Sequence, residues 1–156
     1  MMRRLIPFYK MQGAGNDFIV IDNRKSIIPS QRVSSIVRDM CKRKYGIGAD
    51  GLLLLEKKIP GVDFSMRYFN SDGTEAEMCG NGARCIAIFA YVRGAASRVM
   101  KFKSKAGIIS ARIVSSERVK IGMVSPSDIN LKVSLSLRKR DISLSYLITG
   151  VPHTVI

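Results

Sequence analysis

The segment from Ala83 to Val92 constrains the fold most, because it has the composition of a helix that is apolar on nearly every face. Arg84 is its only charged residue, and most of the other positions carry aliphatic or aromatic side chains. A helix with so little polar surface must be packed against other elements on most of its sides. The sequence therefore predicts a central, buried helix over about 81–93.

Most of the remaining sequence predicts β-strands and a single further helix. Short β-branched or alternating runs predict strands at 17–22, 51–56, 63–70, 97–103, 107–114, 117–123, 131–137 and 142–149. The further helix covers about 31–43, with Ser30 as its N-cap and one apolar stripe that includes Cys41. This pattern predicts an α+β fold, in which a curved antiparallel sheet or barrel wraps around the central helix. Cys41 and Cys85 are both expected to be packing residues.

The composition is that of a globular protein, with 46% hydrophobic and 24% charged residues. The sequence has no apolar run long enough to span a membrane and no apolar signal-peptide core, so we expect a cytoplasmic protein without membrane contact. The formal net charge of +14 is compatible with nucleic-acid binding. However, the basic residues are spread along the chain and are not interleaved with aromatic residues, which favours a basic surface on a small-molecule protein.

Three cysteines and one histidine are too few, and too irregularly spaced, for a secreted disulfide framework or a zinc site. We therefore expect free thiols in a reducing compartment and no metal centre.

The most informative segment for chemistry is Phe69–Cys85, FNSDGTEAEMCGNGARC. Cys79 precedes the buried helix, and the glycines on either side of Asn81 leave the backbone N–H groups there unobstructed. The helix dipole favours an anion at this end, so a carboxylate could bind beside the sulfur. The same field favours the thiolate, which could then remove a proton α to that carboxylate. The spacing alone leaves both a reactive thiol and a packing cysteine open.

Two other glycine-rich segments, Gly13–Phe18 and Gly46–Gly51, each precede a predicted strand. Neither is followed by a helix in the way that a dinucleotide-binding loop requires. Taken alone, each fits a tight turn, in which Asn16 would be a capping residue.

These segments, together with Thr149–His153, closely resemble the diaminopimelate epimerase family, in order from Lys10 to Ile156. The Phe69–Cys85 segment is highly specific to that family. The resemblance implies two similar domains, each a curved sheet or barrel around a central helix, with the substrate between them. It also implies interconversion of LL- and meso-diaminopimelate, for lysine and peptidoglycan synthesis, without metal, pyridoxal phosphate or another cofactor.

The resemblance implies roles for six residues. Cys79 matches the first of two catalytic cysteines, one of which removes the Cα proton as a thiolate while the other returns a proton from the opposite face. The remaining matches are Gly80 and Asn81 with carboxylate-binding amides, Asn16 and Asn70 with substrate-contacting asparagines, and His153 with a histidine that tunes the thiols. A histidine in a proline-flanked turn also fits a structural role.

The chain differs from many family members at two positions and in its length. Gly51 stands where some members have glutamine, and Val151 stands where many have asparagine, so two polar contacts to the far end of the substrate would be absent. The family's second half carries the other cysteine. We expect residues 1–149 to form the N-terminal domain and 150–156 to begin the segment towards an absent C-terminal domain. The chain ends within a β-like run, so we expect a truncated protein completed by its missing half or by a homodimer partner.

Two other functions remain open at this stage. A related amino-acid racemase or isomerase would keep the architecture and change the substrate. A catalytically inert basic module would bind nucleic acid or an acidic partner, and its affinity for DNA would fall by orders of magnitude between about 50 and 200 mM salt.

Overall fold

A computed structural model gives the structure of residues 5–123, 125–138, 140–149 and 151–156. The chain divides into two compact units, Met1–Gly122 and Met123–Ile156. No helix in the described ranges is both long enough and apolar enough to cross a membrane.

In residues 5–122, the described part of the first unit, there are eight strands, two α-helices and one short 3₁₀ helix, Ser30–Arg32. The strands are β1 Tyr9–Gly13, β2 Asn16–Asp22, β3 Gly51–Glu56, β4 Phe64–Asn70, β5 Glu75–Ala76, β6 Val99–Ser104, β7 Gly107–Ile113 and β8 Val119–Gly122. The α-helices are α1 Val33–Cys41 and α2 Gly80–Val92. The strands form one sheet in the order β1-β2-β3-β4-β6-β7-β8, and β5 pairs with β4.

Both faces of the central strands are buried, which explains their nearly continuous apolar sequences. Phe18 of β2 and Leu53 of β3 pack on the face that meets α2. Their neighbours Ile19 and Leu52 point to the other face, where α1 covers them. This alternation places two apolar clusters on opposite sides of a single sheet.

Helix α2 forms the centre of the first unit and contacts strands from both ends of the sheet, including β1 and β8. A sheet whose outer strands contact the same helix must curl around it. Ala83, Ile86 and Ala90 are completely buried, whereas Tyr91 and Val92 in the last turn are exposed. The predicted α+β fold, with a curved sheet around a buried helix, is confirmed, although the last turn of that helix emerges into solvent.

The sheet is mixed rather than purely antiparallel. β2 pairs in parallel with β3, and β4 pairs in parallel with β6. Helix α1 connects the first of these pairs and α2 lies in the connection of the second. The parallel pairs arise because a chain that crosses over through a helix returns in the direction in which it left.

The second unit is a three-stranded antiparallel sheet in the order β11-β10-β9. Its strands are β9 Ser127–Leu137, β10 Arg140–Ile148 and β11 Pro152–Val155. Two of these strands were predicted, with later starts, whereas β11 was not predicted as a separate strand. Residue 150, at the predicted start of the segment towards a second domain, lies outside the described residues.

The predicted N-cap at Ser30 is wrong. Ser30 begins the 3₁₀ helix, in which the N–H of Arg32 donates to the Pro29 carbonyl at 3.0 Å. The α-helix therefore starts three residues later, at Val33, and has no side-chain cap. Cys41 and Cys85 are buried at 4% and 3% exposure, which confirms that both are packing residues.

Candidate active site

Cys79 is the N-cap of α2. Its backbone is extended, with φ −140° and ψ 118°, and its carbonyl accepts the Ala83 N–H at 2.7 Å. Its Sγ accepts the Gly82 N–H at 3.4 Å, and the side chain is only partly buried. The sulfur therefore occupies the place that a serine or aspartate oxygen takes at many helix starts, where a negative charge is favoured.

The first turn of α2 has two N–H groups that can bind a ligand. An α-helix leaves its first N–H groups without intrahelical acceptors. Among the described residues, those of Gly80 and Asn81 have no hydrogen-bond acceptor. The space around Gly80 is open, because a Cβ built there would meet nothing closer than Ile121 Cδ1 at 3.9 Å. These N–H groups could therefore bind a carboxylate next to Cys79.

The Asn16 side chain lies against Cys79 although the two residues are 63 positions apart in sequence. Sγ of Cys79 is 3.6 Å from Oδ1 of Asn16 and is positioned to donate its proton to it. The β1–β2 hairpin can approach α2 this closely because residue 13 is glycine. A Cβ at Gly13 would lie 3.2 Å from the Asn81 carbonyl oxygen and 3.3 Å from Cys85 Sγ.

Asn70 is the last residue of β4, and it lies at the same end of the strands as the start of β2. It pairs with Gly51, which in turn pairs with Phe18. Its Nδ2 donates to Thr74 Oγ1 at 3.1 Å within the predicted turn. In that turn Gly73 has φ +85°, as expected for this sequence.

Four charged side chains lie behind Asn16 and connect the two glycine-rich segments. Arg43 donates to Asp17 Oδ1 at 2.9 Å and to Asp50 Oδ1 at 2.6 Å, and Lys10 Nζ is 2.9 Å from Asp17 Oδ2. The guanidinium of Arg43, followed by the ammonium of Lys10, holds the pKa of Asp17 well below its ordinary value. The Asp17 carboxylate is therefore charged near neutral pH.

Burial keeps two other titratable groups near the Cys79 sulfur, Cys85 and Tyr68, in their neutral forms. Burial, with a smaller contribution from the neighbouring Cys79, raises the pKa of Cys85 to about 11. Burial likewise raises the pKa of Tyr68 to about 12, again with a contribution from Cys79. Cys41, in the opposite apolar cluster, has its pKa raised to about 11 by burial. Neither of the other cysteines could act as a base near neutral pH.

The structure therefore brings together five of the six predicted site residues at one edge of the first unit. Asn16 contacts Cys79. Gly80 and Asn81 follow Cys79 on α2, and Asn70 is joined to this group through the segment around Asp50. The Asn81 side chain has Arg84 as a donor to its Oδ1. The sixth residue, His153, is exposed on β11 of the second unit, opposite Leu147.

The residues that form this arrangement of a cysteine, a glycine-rich helix start and two asparagines lie within a segment that matches a known protein family. The family model described as "Diaminopimelate epimerase" matches residues 8–128, which include every site residue of the first unit. The chain belongs to the diaminopimelate epimerase family.

Curated members of the diaminopimelate epimerase family are similar over nearly all of the chain. The "Diaminopimelate epimerase" of Aquifex aeolicus (strain VF5) is 41% identical in an alignment that covers 97% of this chain and 57% of the relative. The protein of the same name from Flavobacterium psychrophilum is 39% identical, over 96% of this chain and 54% of the relative. The chain thus spans little more than half the length of these diaminopimelate epimerases.

Solved structures with the same fold are more distant in sequence. A probable proline racemase from Agrobacterium radiobacter K84 has a TM-score of 0.74 at 15% identity, over 96% of this chain and 51% of that one. A hydroxyproline epimerase from Agrobacterium vitis has a TM-score of 0.71 at 16% identity, over 94% and 50%. These likenesses show that the diaminopimelate epimerase family and these racemases and epimerases share a fold.

The diaminopimelate epimerase motif is recognisable in the sequence, whereas the charged residues that surround it in the structure were not predicted. Asp17, Asp50, Arg43 and Lys10 were not predicted to contact one another. The positions of the two aspartates near the ends of the glycine-rich segments were the available signal, because a carboxylate at the end of a turn often accepts backbone N–H groups. Each aspartate does so here, since the N–H of each donates to the carboxylate of the other, at 3.0 Å and 3.1 Å.

Proposed function

We propose that this chain supplies one half of the active site of a cofactor-independent epimerase that inverts an α-carbon of diaminopimelate, with Cys79 as one of two acid/base thiols. The observation that carries the proposal is the position of the Cys79 sulfur at the start of α2, beside the N–H groups of Gly80 and Asn81. A substrate carboxylate on those N–H groups would place its Cα next to the sulfur.

The proposed chemistry moves one proton at each face of Cα. The Cys79 thiolate takes the Cα proton, and the C–H electron pair moves into the carboxylate to give an enediolate. The N–H groups of Gly80 and Asn81 stabilise the charge that develops on the carboxylate oxygens. A second thiol then delivers a proton to the opposite face of Cα and becomes a thiolate. In the reverse direction the two sulfurs exchange roles.

The second thiol is proposed to come from outside this chain. Cys41 and Cys85 are buried, and their raised pKa values keep them protonated near neutral pH. The family relatives are nearly twice as long as this chain, so a second half has room for the other cysteine. We propose that residues 150–156 lead towards that half, and that a separate half or a second copy completes the site.

The remaining roles are proposals that rest on the family motif. Asn16 and Asn70 would contact the substrate, and His153 would tune the thiols. Conversion of LL- to meso-diaminopimelate would serve lysine and peptidoglycan synthesis in the cytoplasm. A related racemase or isomerase activity is the alternative, and it would be distinguished by offering proline, 4-hydroxyproline and diaminopimelate in competition.

The test is exchange of the Cα proton of diaminopimelate in D₂O, followed by NMR with the intact chain and two variants. Cys79→Ser removes the proposed base, whereas Cys85→Ala is a matched control that removes a buried thiol. We expect exchange with the unchanged chain and with Cys85→Ala, and none with Cys79→Ser. If the chain alone is inactive, the second half of the Aquifex relative is added. Exchange that survives in Cys79→Ser, or that is absent with both halves present, contradicts the proposal.

A further inference from the structure

Asp50, which the proposed mechanism does not use, contacts the side chain of Asn16. Its Oδ2 accepts from Asn16 Nδ2 at 2.7 Å and from the Asp17 N–H at 3.1 Å. Its Oδ1 accepts from Arg43 at 2.6 Å, and its carbonyl accepts the Ser71 N–H at 3.1 Å. Asp50 therefore holds a fixed place between the turn that carries Asn16 and the turn that follows β4.

The chemistry of these contacts leaves one orientation for the Asn16 amide. A carboxylate that receives three donors can only accept, so the group of Asn16 that faces Asp50 must be its nitrogen. The amide oxygen then points the other way, where it lies 3.6 Å from the Cys79 sulfur. The opposite orientation would place two oxygens in contact at the Asp50 end.

We propose that Asp50 is a positioning residue, whose carboxylate fixes the side-chain amide of Asn16 so that its oxygen, and not its nitrogen, faces the Cys79 sulfur. The significance of this role rests on the proposed function of Cys79 as an acid/base thiol. Asp50 does not touch the reacting atoms and acts only through Asn16.

The fixed oxygen gives the sulfur a partner for its protonated form. Asn16 Oδ1 accepts a hydrogen bond from a thiol S–H and repels a thiolate, so it favours the thiol. On the other side, the Gly82 N–H donates to the sulfur at 3.4 Å and favours the thiolate. A cysteine that serves as base in one direction and acid in the other must be able to exist as both thiolate and thiol. The Asn16 oxygen and the Gly82 N–H have opposite effects on the balance between these two forms.

Other titratable or charged groups also lie near the sulfur. A charge on Cys79 raises the pKa of both Tyr68 on β4 and Cys85 on α2, and the Arg84 guanidinium lies beside Gly80 on the same helix. Asp50 itself carries a charge that acts on the sulfur through space. The test must therefore separate the orientation of Asn16 from the plain removal of a negative charge.

A double-mutant cycle on the intact chain makes this separation. The readout is the rate at which iodoacetamide alkylates Cys79 as a function of pH, measured by peptide mass spectrometry. In Asp50→Ala the amide is free to turn its nitrogen to the sulfur, so we expect the pH midpoint to fall by about one unit and the rate at pH 7 to rise about fivefold. In the Asn16→Ala background, the same substitution should change the rate by less than about twofold. Arg43→Ala removes a positive charge but keeps the Asp50 carboxylate. The alkylation rate of Cys79 should therefore stay unchanged or fall.

An equal effect of Asp50→Ala in both backgrounds would mean that only its charge matters, and would overturn the proposal. A second measurement needs no variant: NOEs from the Asn16 side-chain amide protons of the unchanged chain. Contacts to the Asp50 segment support the proposal, whereas contacts to the Cys79 Hβ atoms overturn it. Both readouts are independent of turnover, so failure of the epimerase proposal would appear separately, as missing Cα exchange.

Discussion

Gly51 lies so close to Tyr68 that a Cβ at position 51 would be 2.6 Å from Cε2 of the tyrosine ring. The same Cβ would be 2.5 Å from the backbone oxygen of Phe69, which cannot rotate away. A glutamine at position 51, which the resemblance to the family implies for some members, would therefore clash with these atoms. In this chain the neighbouring strand and the Tyr68 ring occupy the space that a side chain would need.

This contact predicts that Gly51→Ala destabilises the chain. The added methyl group must push apart β3 and β4, so we expect a loss of about 2 kcal/mol in the free energy of unfolding. Urea unfolding monitored by circular dichroism measures it. The double variant Gly51→Ala with Tyr68→Ala removes one of the two clashes, so it should lose less than the sum of the single losses. Strictly additive losses would show that the ring does not limit position 51.

Gly73 and Gly15 form a matched pair for a second prediction, because φ is +85° and +83°, respectively. A Cβ at Gly73 would lie 2.5 Å from the Ser34 carbonyl oxygen of α1, whereas a Cβ at Gly15 would meet nothing within 4 Å. Alanine at Gly15 meets only the backbone strain of about 1 kcal/mol, and alanine at Gly73 adds a clash with α1. We expect Gly73→Ala to lower the urea midpoint clearly more than Gly15→Ala. Equal midpoints would show that the turn can move away from α1.

The elements that could be predicted from sequence are those whose pattern is local. Helix α2 begins at Gly80, within one residue of the predicted start, because the apolar run and the glycines on either side of Asn81 mark its start. Strand β3 has the predicted bounds of 51–56. By contrast, β1 was missed because it is an edge strand with mostly exposed residues and no apolar run.

What could not be predicted depends on residues that are distant in sequence. The parallel pairing of β2 with β3 is fixed by how the chain crosses over through α1, and strand patterns carry no such information. The contact of Asn16 with Asp50 joins residues 34 positions apart. The motif marked Asn16 and Cys79 as site residues, but the orientation of the Asn16 amide follows only from the carboxylate that the fold places behind it.

The Asp17 cluster predicts how stability changes in acid. Because Arg43 and Lys10 hold the pKa of Asp17 below its ordinary value, the charged carboxylate stabilises the fold above about pH 4, and this contribution is lost as the pH falls through the lower folded value. Asp17→Asn should therefore lower the free energy of unfolding by about 1 kcal/mol at pH 7. The difference should narrow as the pH is lowered towards 2, in urea titrations at a series of pH values.

Asp39→Asn is the control for this prediction, since Asp39 also pairs with a lysine, Lys42, but on the exposed surface of α1. We expect Asp39→Asn to lower the free energy of unfolding at pH 7 by less than Asp17→Asn does, because solvent screens the exposed pair. If Asp17→Asn and Asp39→Asn behave alike, the cluster around Arg43 adds no more stability than an ordinary surface ion pair.

The three cysteines should differ in reactivity in the folded chain and become alike when it unfolds. Burial raises the pKa of Cys41 and Cys85 to about 11, so near pH 8 about one thiol in a thousand is ionised at either site, and neither sulfur is open to solvent. Cys79 is only partly buried. Brief iodoacetamide treatment at pH 8 should therefore label Cys79 first, as measured by peptide mass spectrometry. In 8 M urea all three should react at similar rates, because the burial that separates them is lost. Labelling of Cys85 as fast as Cys79 without denaturant would show that the start of α2 opens readily, and a site built on its N–H groups would then lack the rigidity that binding a carboxylate there requires.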